Sequence, residues 1–197
     1  KKLGAEVILY DRVSENREDI GRHISQNLGA TLIPPYDDMD VISGQGTIGL
    51  EIDEQLSELG IKADKIIVPC GGGGLVAGIA SGISELSPKT EIWAVEPTNY
   101  DDTLRSLNKG ARLSNSLTAS TICDALTAPT PGKITFNINS QLLSGCLSVS
   151  DGAVAAAMTN AFELFKIIVE PGGAIALASV LNKQINIDGQ VVVVICS

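Results

Sequence analysis

A three-layer α/β fold, a mostly parallel sheet with helices on both faces, is the architecture this sequence predicts. Three observations lead there. The 197 residues are 44% hydrophobic but only 4% aromatic, with 20 glycines among many Val, Ile and Ala, a composition suited to strands buried on both faces. Short apolar runs alternate along the chain with segments of helical periodicity. A run of four glycines lies between one apolar run and a small-residue helix, where such sheets place a β-α turn. The length suits one ordinary domain or slightly more.

Each element follows in order. Glu6 to Leu9 is a strand candidate. Glu15 to Leu28 places Ile20, Ile24 and Leu28 at i, i+4 and i+8 and stops at Gly29, as a helix does. Thr31 to Ile33 returns extended before Pro34-Pro35, which makes a β-α-β unit. Pro34-Pro35-Tyr36-Asp37-Asp38 then interrupts the pattern, and a boundary is expected there: residues 1–38 as the remainder of a small domain, 39–197 as an incomplete large one. A piece as short as 1–38 buries too little surface to close a core alone. From about Thr47 to Leu59 a helix carries Ile48, Ile52, Leu56 and Leu59 on one face, with Gly60 as its stop. Ile66 to Cys70 reads as a buried strand, Leu75 to Leu86 as a helix and Ile92 to Val95 as the next strand, a second β-α-β unit. Asn99 to Ser116 is expected to be loop plus a short helix, and Ala128-Pro129-Thr130-Pro131-Gly132 an irregular connection. Cys146 to Val149 is a short strand; Ser150 or Asp151 caps a long helix to about Phe165; Pro171 opens another to about Leu181; Gln190 to Cys196 is the last strand. The chain lacks an initiator Met and stops just after that strand, so both ends are expected to be cut.

Composition also excludes several classes. The net charge of −9 repels a phosphate backbone, so nucleic acid is not an expected partner. The longest apolar runs, such as Val191 to Cys196, fall far short of the roughly 20 residues a spanning helix needs, so no membrane partner is expected. Cys70, Cys123, Cys146 and Cys196 form no C-x-x-C pair and sit among apolar neighbours, so they read as buried thiols in a reducing cytoplasm.

Four consecutive glycines, Gly71 to Gly74, between a strand and a helix leave backbone N–H groups unobstructed at the positive end of the helix. That is an anion cradle, most naturally for phosphate. A turn that merely permits close packing is the competing reading. The Walker pattern fails because no Lys-Ser/Thr pair follows. Gly72, Gly74 and Ala77 satisfy G-x-G-x-x-A, and Glu96 ends the next strand as a ribose-binding acid would, so an NAD-dependent oxidoreductase is an alternative on spacing. Glu96-Pro97-Thr98-Asn99-Tyr100-Asp101-Asp102 gathers carboxylates at the carboxyl end of a strand; oxygen ligands there suit Mg²⁺ or Ca²⁺, while a solvated acidic loop is the plainer reading. His23 is the sole histidine, so a Ser-His-Asp relay or a Cys/His zinc site finds no support. Glu170 stands just before a helix opening Pro171-Gly172-Gly173, where the dipole favours an acid.

These features together resemble one family. Leu3-Gly4-Ala5-Glu6-Val7, Gly44-Gln45-Gly46-Thr47, Val68-Pro69-Cys70 with the four glycines and Leu75, Val95 to Asp102, Ser120-Thr121-Ile122-Cys123-Asp124 and Glu170 to Ala174 are similar, in this order, to the fold type II pyridoxal phosphate (PLP) enzymes, specifically threonine/serine dehydratases and serine racemases. The resemblance covers nearly the whole chain. It implies that Gly71, Gly72, Gly73, Gly74 and the amide of Leu75 hold the PLP phosphate, that Ser197 contacts the pyridine nitrogen, and that Glu170 lies near the ring. A neutral hydroxyl at that nitrogen suits elimination over transamination. For racemase-like members it implies a divalent cation, Mg²⁺ or Ca²⁺, on Glu96, the Tyr100 carbonyl and Asp102. Where this chain has Cys123-Asp124-Ala125 the family often reads Ala-Asp-Gly.

The implied activity is that of a lyase of amino acid metabolism: elimination from a 3-hydroxy amino acid to a 2-oxo acid and ammonia, by a homodimer. The family's Schiff-base Lys lies in a Ser-x-Lys-x-Arg type segment. None of the nine lysines here has that context, so no catalytic residue is expected in this chain and that Lys is expected upstream. The alternative from another class is a non-catalytic phosphate- or PLP-binding module.

Overall fold

The computed structural model describes residues 3–11, 14–116 and 118–196. They divide into two compact units, Lys1–Pro34 and Pro35–Ser197.

In the first unit, helix α1 (Arg17–Leu28) starts where the Asn16 side chain accepts the amides of Glu18 and Asp19 and ends at Gly29 with φ 61. The flanking segments differ from expectation. Neither Glu6 to Leu9 nor Thr31 to Ile33 joins a ladder among the described residues, because a strand exists only where a neighbour takes its N–H and C=O groups. Leu9 and Ile33 are accordingly exposed, and no residue of α1 is buried.

The second unit holds a four-stranded, wholly parallel sheet in the order β3-β2-β1-β4. Its elements, in chain order, are α2 (Met39–Glu58), β1 (Lys65–Pro69), α3 (Gly74–Ser84), β2 (Glu91–Pro97), α4 (Asp102–Lys109), a 3₁₀ turn Asp124–Leu126, α5 (Lys133–Leu142), β3 (Gly145–Val149), α6 (Asp151–Asn160), a π turn Ala161–Phe165, α7 (Pro171–Leu181) and β4 (Val192–Val194). Side chains alternate across the sheet. Ile66 and Val68 face a core built with Val76, Ile79 and Ile83 of α3 and with Ile48, Ile52 and Leu56 of α2. Ile67, Val95 and Val149 face the opposite core, filled by Val154 and Ala157 of α6 and Ala174, Ile175 and Ala178 of α7. The three-layer α/β architecture is thus present.

Three helical segments depart from the sequence reading. α2 begins at Met39, well before Thr47, capped by Asp38, whose carboxylate accepts the amides of Asp40 and Val41. Ser43, Gly44 and Gly46 make its first half a poor helix by propensity, but packing overrides this. A Cβ on Gly78 of α3 would lie 2.5 Å from the Ile42 carbonyl oxygen, and one on Gly49 2.6 Å from that of Ile79, so the two helices meet backbone to backbone. α5 is absent from the expected elements altogether. The continuous helix to Phe165 instead widens into a π turn after Asn160. Cys196 is exposed, whereas Cys70, Cys123 and Cys146 are buried as expected.

Candidate functional site

The chain leaving β1 crosses by α3 to β2, while β4 pairs with β1 on its other side. The carboxyl end of β1 is therefore the switch point of the sheet, where open α/β folds bind ligands. The four glycines stand there. Gly73 has φ 91 and forms the N-cap of α3, a conformation only glycine adopts freely. Each of the four is also crowded: Cβ atoms would meet Leu126 at Gly71, the Tyr36 ring at Gly72, Thr135 and Asn139 at Gly73, and the Tyr36 backbone at Gly74. Close packing thus explains why side chains are excluded.

The hydrogen bonds show what the turn presents. The Gly72 carbonyl accepts from the Thr135 hydroxyl at 2.7 Å and from the Gly132 amide at 3.3 Å. The Gly73 carbonyl accepts from Asn139 Nδ2 at 3.3 Å and from the Ala77 amide at 3.0 Å. Among the described residues, the amides of Gly71, Gly72 and Gly73 donate to no protein acceptor. With the carbonyls tied back and the amides left over at the start of a helix, the turn has donors free for an anion as well as a close-packed backbone.

The acidic loop is built differently from its sequence appearance. Glu96 is fully buried; Oε1 accepts the Thr103 amide at 3.0 Å and Oε2 the Leu104 amide at 2.9 Å. It caps α4, which Asp101 does not. Burial, then the charge of Asp102, pushes the Glu96 carboxyl up to about 8. Burial likewise raises Asp102 to about 6, against a lowering by its bond from Asn115. Asp102 Oδ1 accepts that Asn115 amide at 2.5 Å, but Oδ2 is buried and has no partner among the described residues. The Tyr100 hydroxyl donates to the Ala119 carbonyl, and the Tyr100 carbonyl accepts no hydrogen bond among the described residues. No three His, Cys, Asp or Glu side chains gather into a metal set among those residues. A cation here would rest on two carboxylates, one carbonyl and water. The donors suit a hard divalent ion, and its charge would relieve both the orphaned oxygen and the repulsion.

Glu170 is exposed at the N-cap of α7 and makes no capping bond. A Cβ on Gly172 would lie 3.5 Å from both Glu170 Oε1 and Ala125 Cβ, so this acid adjoins the Asp124–Leu126 turn that also backs Gly71. Ser197 lies outside the described residues.

Four site residues escaped the sequence reading: Tyr36, Asp37, Thr135 and Asn139. Asp37 accepts the amides of Lys133, Ile134 and Thr135 at 2.8 to 3.2 Å and so begins α5 from across the fold. One signal existed, since Ile134, Ile138 and Leu142 have helical spacing.

A family model described as pyridoxal-phosphate dependent enzyme matches residues 1–197. The chain belongs to that family. It is 38% identical over 194 residues to an L-threo-3-hydroxyaspartate ammonia-lyase of Saccharomyces cerevisiae, covering 98% of this chain and 58% of that enzyme. It is 36% identical over 184 residues to a serine racemase of Oryza sativa subsp. indica, covering 93% and 52%. Among solved structures, a threonine deaminase from T.th. matches with TM-score 0.86 at 38% identity, over 91% of this chain and 60% of that one. The chain thus spans about half the length of the relatives it matches.

Proposed function

We propose that this chain is the cofactor-phosphate-binding portion of a PLP-dependent ammonia-lyase that converts a 3-hydroxy amino acid to a 2-oxo acid and ammonia. The observation that carries this is the cradle: three unpaired amides at Gly71, Gly72 and Gly73 before α3, at the switch point of the sheet. Relatives named as hydroxyaspartate and threonine ammonia-lyases support it. Gly71, Gly72, Gly73, Gly74 and the Leu75 amide would hold the phosphate, Ser197 would meet the ring nitrogen, and Glu170 would stand near the ring. When bound, the cofactor supplies an electron sink for the substrate Cα; the chain's own part is to orient it and to exclude water. The candidate substrates are threonine, serine and 3-hydroxyaspartate. The lysine that binds the cofactor covalently lies, in this reading, outside the chain.

We further propose a Mg²⁺ or Ca²⁺ ion on Glu96, the Tyr100 carbonyl and Asp102, supported by the orphaned Asp102 Oδ2. That loop favours a second reading, serine racemisation, in keeping with the serine racemase relatives. The oxidoreductase alternative is weakened because the family model that matches residues 1–197 is that of pyridoxal-phosphate dependent enzymes. The small-domain remainder at 1–38, the large domain at 39–197, a homodimer and a reducing cytoplasmic setting complete the proposal. The boundary of the compact units at Pro34 and the free cysteines support the first and last of these.

The test compares PLP with pyridoxal, then adds borohydride and threonine. The expected result is binding of PLP well above pyridoxal, an intact mass near 20.5 kDa without a reduced adduct, and no 2-oxobutyrate. Equal binding of both ligands would overturn the phosphate site. Turnover by this polypeptide alone would overturn the placement of the lysine.

A further inference from the structure

We infer that Thr135 and Asn139 of α5 are positioning residues for the phosphate cradle: by holding the carbonyls of Gly72 and Gly73 they aim the Gly73 and Gly74 amides at the bound phosphate. The inference rests on the proposed phosphate site and deepens it.

The physical basis is the peptide plane. A trans peptide unit is flat, so its C=O and its N–H point in opposite directions; no peptide bond among the described residues is cis. The carbonyl of Gly72 and the amide of Gly73 belong to one such unit. Thr135 Oγ1 bonds that carbonyl at 2.7 Å, and the Gly132 amide does so at 3.3 Å, which fills both lone pairs. The Gly73 amide is thereby turned away from α5. The next unit repeats the arrangement: Asn139 Nδ2 at 3.3 Å and the Ala77 amide at 3.0 Å hold the Gly73 carbonyl, and the Gly74 amide points the other way. Glycine needs such restraint most, since without Cβ its peptide planes rotate almost freely. Both side chains are fully buried and sit one helical turn apart on α5, so each faces the same strip of backbone. Their side-chain hydrogen bonds run to the glycine carbonyls, and it is through the glycines that they act.

Side-chain identity matters here. Val has the heavy-atom shape of Thr135 and Leu that of Asn139, but both lack the hydrogen-bond donor. Neither would hold a carbonyl. Left with only the Gly132 amide on the Gly72 carbonyl, or only the Ala77 amide on the Gly73 carbonyl, the peptide unit would be held less tightly in the orientation that aims its amide at the phosphate, a loss that a ligand without phosphate does not sense.

The experiment measures dissociation constants of PLP and pyridoxal for the protein and for Thr135→Val, Thr135→Ser and Asn139→Leu, with the ³¹P chemical shift of bound PLP as the spectroscopic readout. Thr135→Val is expected to weaken PLP about fivefold to tenfold, in line with the net worth of one good hydrogen bond, to shift the ³¹P resonance, and to leave pyridoxal unchanged. Thr135→Ser keeps the hydroxyl and should keep the protein's own PLP affinity. Asn139→Leu, at the longer bond, should lose about threefold by the same measure, and it stands in for Thr135→Val should that variant not fold. A folded Thr135→Val with unchanged PLP affinity overturns the inference alone, as does an equal loss for PLP and pyridoxal or an equal loss in Thr135→Ser. A parent protein with no preference for PLP over pyridoxal removes the phosphate site first, and the inference with it.

Discussion

Removal of the Asp37 carboxylate tests how α5 is held. The first amides of α5, those of Lys133, Ile134 and Thr135, all donate to Asp37, at 2.9, 2.8 and 3.2 Å. The local N-cap residue, Gly132, has no side chain to take them. Loss of an N-cap side chain costs about 0.5–2 kcal/mol. Bonds to an ionised acceptor are about twice as strong as neutral ones, and a negative charge at a helix start adds about 0.3–1 kcal/mol. Asp37→Ala should therefore destabilise the fold by about 2 kcal/mol, near the upper end for a cap. At about 2–4 °C per kcal/mol for a chain of this size, Tm should fall by about 4–8 °C in a calorimetric scan at pH 7. Asp37→Asn keeps one carbonyl oxygen and should lose about half as much. An Asp37→Ala protein melting within about 1 °C of the parent, on the scale set by that conversion, would show that α5 does not depend on this distant cap.

Two further outcomes follow from the packing and the buried acids. In Gly78→Ala the new methyl would lie 2.5 Å from the Ile42 carbonyl oxygen and 2.6 Å from Gln45 Cβ; α2 and α3 must part, at about 2–3 kcal/mol, and an unchanged urea midpoint would refute that contact. For the acids the sign runs against the usual carboxylate. Glu96, raised from 4.5 to about 8, and Asp102, raised from 3.8 to about 6, keep protons in the folded state that the unfolded chain releases. Their contribution is complete below the unfolded values and is lost as pH climbs through about 8 for Glu96 and about 6 for Asp102. In EDTA, Tm should fall as pH rises across this window; Asp102→Asn should flatten the fall by removing the repulsion, and Ca²⁺ or Mg²⁺ should offset it at the alkaline end. A Tm indifferent to both pH and cation would remove the coupled pair and the cation site together.

The legible part of the site lay within single stretches of chain. Four glycines between an apolar strand and a small-residue helix announce an anion cradle, because strand, turn and helix start are consecutive and their backbone geometry is local. Pro171 at the start of α7 and Gly29 at the end of α1 were legible for the same reason. Glu96 shows the limit. Its place at the end of β2 was readable, but its side chain turns inward to cap α4, and burial, followed by the charge of Asp102, raises its affinity for a proton. The strand candidates Glu6 to Leu9 and Thr31 to Ile33 had the right composition and still form no ladder among the described residues, since pairing belongs to two segments and composition to one.

By itself, then, the sequence determined the layered α/β architecture, the glycine turn between β1 and α3 and the resemblance to the PLP enzymes, all of which depend on local periodicity and contiguous motifs. Only the tertiary structure decided that Asp37 starts α5 and that α5 in turn holds the carbonyls of Gly72 and Gly73. The same holds for Tyr36 against Gly72, and for Asp102 left with a buried, unpartnered oxygen. These are pairings between residues far apart in the chain, fixed by which surfaces the sheet brings together, and no local pattern of residues encodes them.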